Sequence, residues 1–276
     1  MSTYKDDLKG AKQLINEDYG SFGYYKVYYS SNEYLPQLFN QFSIKDKDVF
    51  TVVGSGDQVL YSYYKGARSV DTYDINILTK YYYYLRKWCI EYLDICYPNE
   101  DLLFYNTEWI YNLLKLVNCS NEEEENAYNF WREYVYEVFP FDIINMYYCN
   151  NGCDNNRISN LSKLKELIKG KKINFKELDI FKEISIDKKY DIIITSNILE
   201  TAHSEEDLII ARDNLYNLLN DSGEIICSYI MDEPKSLDKR LEKEIFSEYF
   251  EKKDFKGTYS SYFDRYYPVG YSYIKR

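Results

Sequence analysis

Apolar positions along this chain follow two alternating rhythms. Short unbroken runs of β-branched and aromatic residues read as strands buried on both faces, and stretches with apolar residues three and four apart read as helices. Val49–Val53 is a run of the first kind. It ends at Gly54-Ser55-Gly56-Asp57, and the helix behind it carries Val59, Leu60, Tyr63 and Tyr64 on one side before Gly66 closes it. Ser69–Asp74 is a second strand, ending in an acid. Ile75–Leu93 follows as a long helix with Leu78, Tyr81, Tyr82, Leu85, Trp88, Cys89 and Tyr92 on its inner side. The run Tyr81–Tyr84 is expected to lie half in the core and half on a solvated face.

From 95 to 170 the alternation lapses. Apolar residues at Trp109–Leu116 and Phe130–Phe139 predict helices, separated by the acidic run Glu122–Glu125, a solvated turn or a helix start. Asn150–Asn156 reads as a loop. Strands resume at Lys172–Leu178, before Asp179, and at Tyr190–Thr195, before Ser196-Asn197. A helix from Glu205 to Leu219, a turn at Asn220–Gly223 and a strand Glu224–Tyr229 come next. A helix near Leu237–Phe250 and two runs, Lys256–Phe263 and Val269–Ile274, predict a terminal hairpin. At the other end Leu8, Ala11, Leu14 and Ile15 have helical spacing, and Ser31 or Asn32 offers a cap for a short helix through Leu38 and Phe39.

Strands alternating with helices predict an α/β fold, a doubly wound and mainly parallel sheet with a C-terminal antiparallel hairpin. Residues 1–44 read as an N-terminal helical segment and 45–276 as the main domain. Within it, 95–170 is a helical insertion, expected as a cap over the C-terminal strand ends, the alternative being an outgrowth or a dimer surface away from them.

Composition narrows this picture. A hydrophobic fraction of 45% supports a packed core, and no apolar run approaches the ~20 residues of a membrane span. The opening Met1–Asp7 is charged where an export signal needs apolar residues, so a cytoplasmic address is expected. Cys89, Cys96, Cys119, Cys149, Cys153 and Cys227 are then expected as thiols. Cys149 and Cys153 are spaced tolerably for a metal hairpin but lack a second pair nearby, so no metal is expected. The net charge of -11 argues against phosphate backbones and anionic membranes and for a small-molecule partner. A basic face for tRNA stays open, because net charge does not describe distribution.

In such a sheet a ligand sits outside the C-terminal strand ends, where strand order reverses. Gly54-Ser55-Gly56 turns the chain there and lets backbone approach a ligand. Val59 stands where a dinucleotide fingerprint needs its third glycine, which counts against an NAD-dependent oxidoreductase. Asp74 follows by about twenty residues, the spacing of an acid that accepts from both ribose hydroxyls. Its alternative role is a helix N-cap. Asp179 can receive the exocyclic amine of an adenine, with Ile180 against the ring. Asp57 can bind an ammonium group, or cap its helix. Ser196 and Asn197 can position an acceptor. His203, the only histidine, is available as a general base or is simply exposed.

Taken together, Val49–Asp57, Val70–Asn76, Glu177–Ile180 and Tyr190–Leu199 resemble the sequential motifs of class I S-adenosylmethionine (SAM)-dependent methyltransferases. Leu218–Gly223 resembles the loop before their fifth strand, and the likeness spans roughly 45–90 and 172–276. Gly54–Leu60 with Thr72–Asn76, and Ser31-Asn32-Glu33 upstream, more closely resemble the betaine-lipid-type 3-amino-3-carboxypropyl transferases and their uncharacterised bacterial relatives. The resemblance implies a Rossmann-like fold with SAM as cofactor. It places Gly54, Ser55, Gly56, Asp57, Asp74, Ile75, Asp179, Ile180, Ser196 and Asn197 around SAM, and makes Asn197 and His203 catalytic candidates. No Pro-Pro follows Asn197, unlike the enzymes that methylate amino groups of nucleic acids. The leading expectation is methyl transfer to a small or uncharged acceptor. The alternatives are aminocarboxypropyl transfer, which releases methylthioadenosine, and a non-catalytic SAM or nucleoside binder.

Overall fold

The computed structural model describes residues 3–16, 27–31, 33–98, 108–137, 144–145, 157–228, 239–255 and 270–276. In chain order these form α1 (Tyr4–Asn16), β1 (Val27–Tyr28), α2 (Leu35–Leu38), β2 (Asp48–Val52), α3 (Asp57–Tyr64), β3 (Ser69–Asp74) and α4 (Leu78–Trp88). The helix α4 runs on into a π-helical turn, Cys89–Leu93. Then come α5 (Glu108–Leu114), α6 (Glu122–Glu137), β4 (Ile144–Asn145), α7 (Leu161–Ile168), β5 (Phe175–Glu177) and β6 (Tyr190–Ser196). After a 3-10 turn, Ile198–Thr201, the chain ends with α8 (Glu205–Leu218), β7 (Leu219–Ser228), α9 (Lys239–Ser247), β8 (Phe250–Asp254) and β9 (Gly270–Lys275).

Among the described residues seven strands make one sheet in the order β5-β3-β2-β6-β7-β9-β8. The pairs from β5 to β7 are parallel, and β9 runs antiparallel to both β7 and β8. The sheet is therefore doubly wound, and its order reverses between β2 and β6, the switch point where such sheets take ligands.

Side chains alternate across the strands with a period of two, so one run fills two cores. Val49, Val53, Ile192 and Ile194 face the layer of α3 and α4, whereas Phe50, Val52, Ile193 and Ile225 face α8 and α9. This is why the strands read as unbroken apolar runs. Phe50 stacks between Tyr73 and Tyr190 at centroid distances of 4.7 and 4.8 Å.

Several elements depart from the sequence expectation. The edge strand β5 is only Phe175–Glu177. The turn expected at Asn220–Gly223 lies inside β7, where Ser222 adopts φ 59° and the register to β6 shifts. The end of the helix expected near Leu237–Phe250 is instead a strand, β8, which pairs with β9, and the helix ends at Ser247. Residues 256–263, the cap at Asn32, the loop 150–156, and Cys149 and Cys153 lie outside the described residues.

The largest departure concerns Tyr81–Tyr84, all fully buried. Their second face is covered by α6, which packs on α4: Phe130 stacks on Tyr81 at 3.8 Å, and the Trp131 indole N–H donates to the Tyr81 carbonyl at 2.8 Å. Glu123 of α6 accepts from Tyr84 and from the backbone N–H groups of Ile173 and Phe175 at the β5 edge. The acidic run Glu122–Glu125, expected as a solvated turn or a helix start, opens α6, and its Glu124 is buried against Lys87. The N-terminal segment joins the same layer, because α1 packs on α6 and β1 pairs with β4. Among the described residues of the insertion, α6 packs on α4, α7 on α3, and α5 on α6 and the π-helical turn, while Tyr97 reaches the glycine turn through Asp57.

Candidate functional site

The site begins at the end of β2. Gly54 and Gly56 both take the left-handed conformation, φ 51° and 87°, which residues with a Cβ adopt at a cost. The turn they make delivers Asp57 as the first residue of α3. The Gly54 N–H donates to Asp74 Oδ2 at 2.9 Å, so the glycine turn and the next strand end are joined directly. The other oxygen, Oδ1, accepts from the Asn76 N–H at 3.0 Å. Asp74 is not the cap of α4: that helix starts at Leu78, whose N–H is taken by the Asn76 side chain. Burial pushes the Asp74 carboxyl up to about 6, against the backbone hydrogen bonds that favour its ionised form. Beside it Ile75 is 51% exposed, one of few large apolar side chains in that condition.

Asp57 is spent on the protein itself. Its Oδ2 accepts from the Ser31 N–H and the Ser55 hydroxyl, both at 2.7 Å. Its Oδ1 accepts from Tyr97 at 2.6 Å and pairs with Arg86 at 2.8 Å. Arg86, fully buried on α4, also donates to the carbonyls of Ser55 and Cys96 and lies 4.1 Å from the Tyr97 ring centroid. The network ties four segments together: 27–31, the glycine turn, α4 and 95–98. Asp57 therefore fits a positioning role better than the ammonium-binding one expected of it.

At the end of β6, Ser196 adopts φ 54° and is buried, with Asn197 next to it. Asp179 is half-buried past β5; it accepts from the Phe181 N–H at 3.0 Å and pairs with exposed Lys182. Ile180 is 3% exposed and belongs to the core around Tyr73 and Leu199, rather than to an open face. His203 is exposed just before α8, where its N–H and that of Ser204 are taken by Asp207 in a capping box.

Sequence reasoning missed Glu33, Gln58, Arg86 and Tyr97. Arg86 and Gln58 carried a usable signal, since each is a polar residue at a helical position shared with buried apolar neighbours. Glu33 gave none beyond its place in Ser31-Asn32-Glu33. Among the described residues no cluster of His, Cys, Asp and Glu could hold a metal ion, and no helix is long and apolar enough to cross a membrane.

No protein-family model matches the chain, and no curated protein does. Among solved structures the chain is similar to several methyltransferases. A TehB-like SAM-dependent methyltransferase from Corynebacterium glutamicum is 8% identical over 98% of each chain, with a TM-score of 0.45. Magnesium protoporphyrin IX methyltransferase from Synechocystis, solved with SAM bound, is 10% identical over 100% of this chain and 85% of its own, TM-score 0.45. The N-methyltransferase NodS from Bradyrhizobium japonicum is 8% identical over 88% and 93%, TM-score 0.42.

The glycine turn gives a first prediction. A Cβ at residue 56 would stand 3.2 Å from Cδ2 of Tyr83, which is fully buried. With φ 87° the residue is also in the region that costs branched side chains most. Gly56→Val should displace the turn and abolish nucleoside binding while far-UV circular dichroism keeps its native shape. Native affinity in that variant would place the ligand elsewhere.

Proposed function

We propose that this chain is a SAM-binding transferase that moves a methyl group to a small or uncharged acceptor. One observation carries the reading: at the switch point, a glycine turn is hydrogen-bonded to a buried acid at the next strand end, with exposed Ile75 beside it. The groups fit a nucleoside. Gly54 leaves backbone open to approach, Asp74 can accept from the ribose hydroxyls, and Ile75 offers an apolar surface to adenine. Asp179 keeps acceptor capacity for the adenine amine. A dinucleotide is the poorer fit: Val59 replaces the third glycine, and an antiparallel strand enters the sheet between β7 and β8 where the six-stranded dinucleotide-binding order has none.

When bound, SAM supplies a sulfonium whose attached carbons are open to displacement. The protein's task is then to hold the acceptor in line, about 3–3.5 Å from the carbon, away from water. Ser196 and Asn197 stand at the strand end where an acceptor would lie, and His203 is the proposed base for its proton. Asp57 and Arg86 keep the turn in shape.

Calorimetric titration with adenosylhomocysteine and with NADH tests the reading. Binding of the first and not the second is expected; the reverse would overturn it. Incubation with SAM and cell extract then reports the transfer. Adenosylhomocysteine as by-product means methyl transfer, methylthioadenosine means aminocarboxypropyl transfer, and neither means a binding protein.

A further inference from the structure

A second polar cluster lies against the glycine turn. Glu33, 5% exposed, reaches across the ends of β6 and β7. Its Oε1 accepts from the Ser228 hydroxyl, and its Oε2 from the Ser31 hydroxyl at 3.1 Å and from the Gln58 amide; the Ser196 hydroxyl also donates to it. Gln58 is 3% exposed and spends its Nε2 on Glu33 and, at 3.3 Å, on Ser31. That fixes the amide's orientation, because the flipped form would set an oxygen against a carboxylate. Gln58 Oε1 is left without a hydrogen-bond partner among the described residues. It points at the glycine turn, 4.0 Å from where a Cβ on Gly54 would stand.

A buried acceptor without a donor is destabilising, so this oxygen is expected to find a partner when a ligand arrives. An anion is excluded by Glu33 beside it. A hydroxyl brings one proton, whereas an ammonium brings three donors and a positive charge for a carboxylate that burial has pushed above its ordinary range.

We infer that Glu33 and Gln58 form the subsite for a protonated amine carried by the ligand of the glycine turn. The inference rests on the SAM reading, in which that amine is the ammonium of the methionyl group. It also replaces the role first expected of Asp57, whose negative charge is already met by the Arg86 guanidinium at 2.8 Å.

The test compares two nucleosides that differ in the amine. Adenosylhomocysteine carries it; methylthioadenosine lacks the aminocarboxypropyl group altogether. In calorimetric titrations Glu33→Gln should weaken the first by about tenfold or more, the usual range for a charge-assisted hydrogen bond, and the second by less than about twofold. Gln58→Leu should show the same selectivity and carries the test if Glu33→Gln does not fold. Adenosylhomocysteine acetylated on its amine, offered to the unaltered protein, should bind about as weakly as methylthioadenosine, and this arm needs no variant. Equal losses for both nucleosides, with a lowered Tm, would mean a structural role and overturn the inference. So would full affinity for the acetylated compound. If the unaltered protein binds neither nucleoside, the SAM reading fails and takes this inference with it. If it binds both and the variants do not discriminate, only the subsite falls.

Discussion

Arg86→Met should lower the free energy of unfolding by about 3–5 kcal/mol, the cost of leaving one member of a buried ion pair alone. Arg86 is fully buried and Asp57 is 2% exposed, so solvent cannot take over either charge. Methionine fills a similar volume but gives nothing to Asp57 Oδ1, nor to the carbonyls of Ser55 and Cys96. The turn should loosen with it, and adenosylhomocysteine affinity should fall alongside stability. Pairing the change with Asp57→Asn should recover part of the loss, because no lone charge then stays buried. Urea unfolding of the single and double variants measures both effects. A single variant within about 1 kcal/mol of the native protein would show the pair to be dispensable.

The strands around the switch point were legible because each is buried on both faces, so its apolar run owes nothing to distant context. Val49–Val53, Ser69–Asp74 and Tyr190–Thr195 match β2, β3 and β6 to within a residue or two. The turn at Gly54–Gly56 and the acid at Asp74 were legible for the same reason, being fixed by the ends of those strands. Elements whose burial depends on distant partners were not. The exposure of Tyr81–Tyr84 is decided by α6, about forty residues on, and a helix pattern cannot say which of its faces a third layer will cover. Glu124 looked solvated because its partner, Lys87, sits on another helix. Glu33 and Gln58 escaped notice likewise, since only the folded chain sets the N-terminal segment against α3 and the ends of β6 and β7. The expectation of a cap rested on sequence length alone. A long excursion is usually functional, yet the described part of this one mainly completes the core behind α4.

Asp74 should give the clearest functional phenotype. Asp74→Ala is expected to weaken adenosylhomocysteine binding by about 1.5–3 kcal/mol, roughly ten- to 150-fold, as two hydrogen bonds to a charged acceptor are lost. Part of that loss passes through Gly54, whose N–H rests on Asp74 Oδ2, so Asp74→Asn is the sharper companion. It keeps an acceptor of the same shape without the charge. The pH dependence separates the two contributions. Burial raises the Asp74 carboxyl to about 6 in the folded protein, above the ordinary 3.8. The folded state therefore holds a proton that the unfolded chain releases, and this group's contribution to stability falls as pH rises from about 4 to about 6. Ribose hydroxyls demand the opposite state, since only the ionised carboxylate accepts from both. Affinity for adenosylhomocysteine should then decline as pH drops through about 6, while the ligand-free protein gains stability from the same group over the same interval. Asp74→Asn should bind weakly at every pH and lose this group's share of both trends. Titrations at pH 5, 6, 7 and 8, run beside thermal unfolding, follow the two curves. An affinity that stays flat across that range in the unaltered protein would take Asp74 out of the ligand's hydrogen-bonding shell and leave it as the anchor of the glycine turn alone.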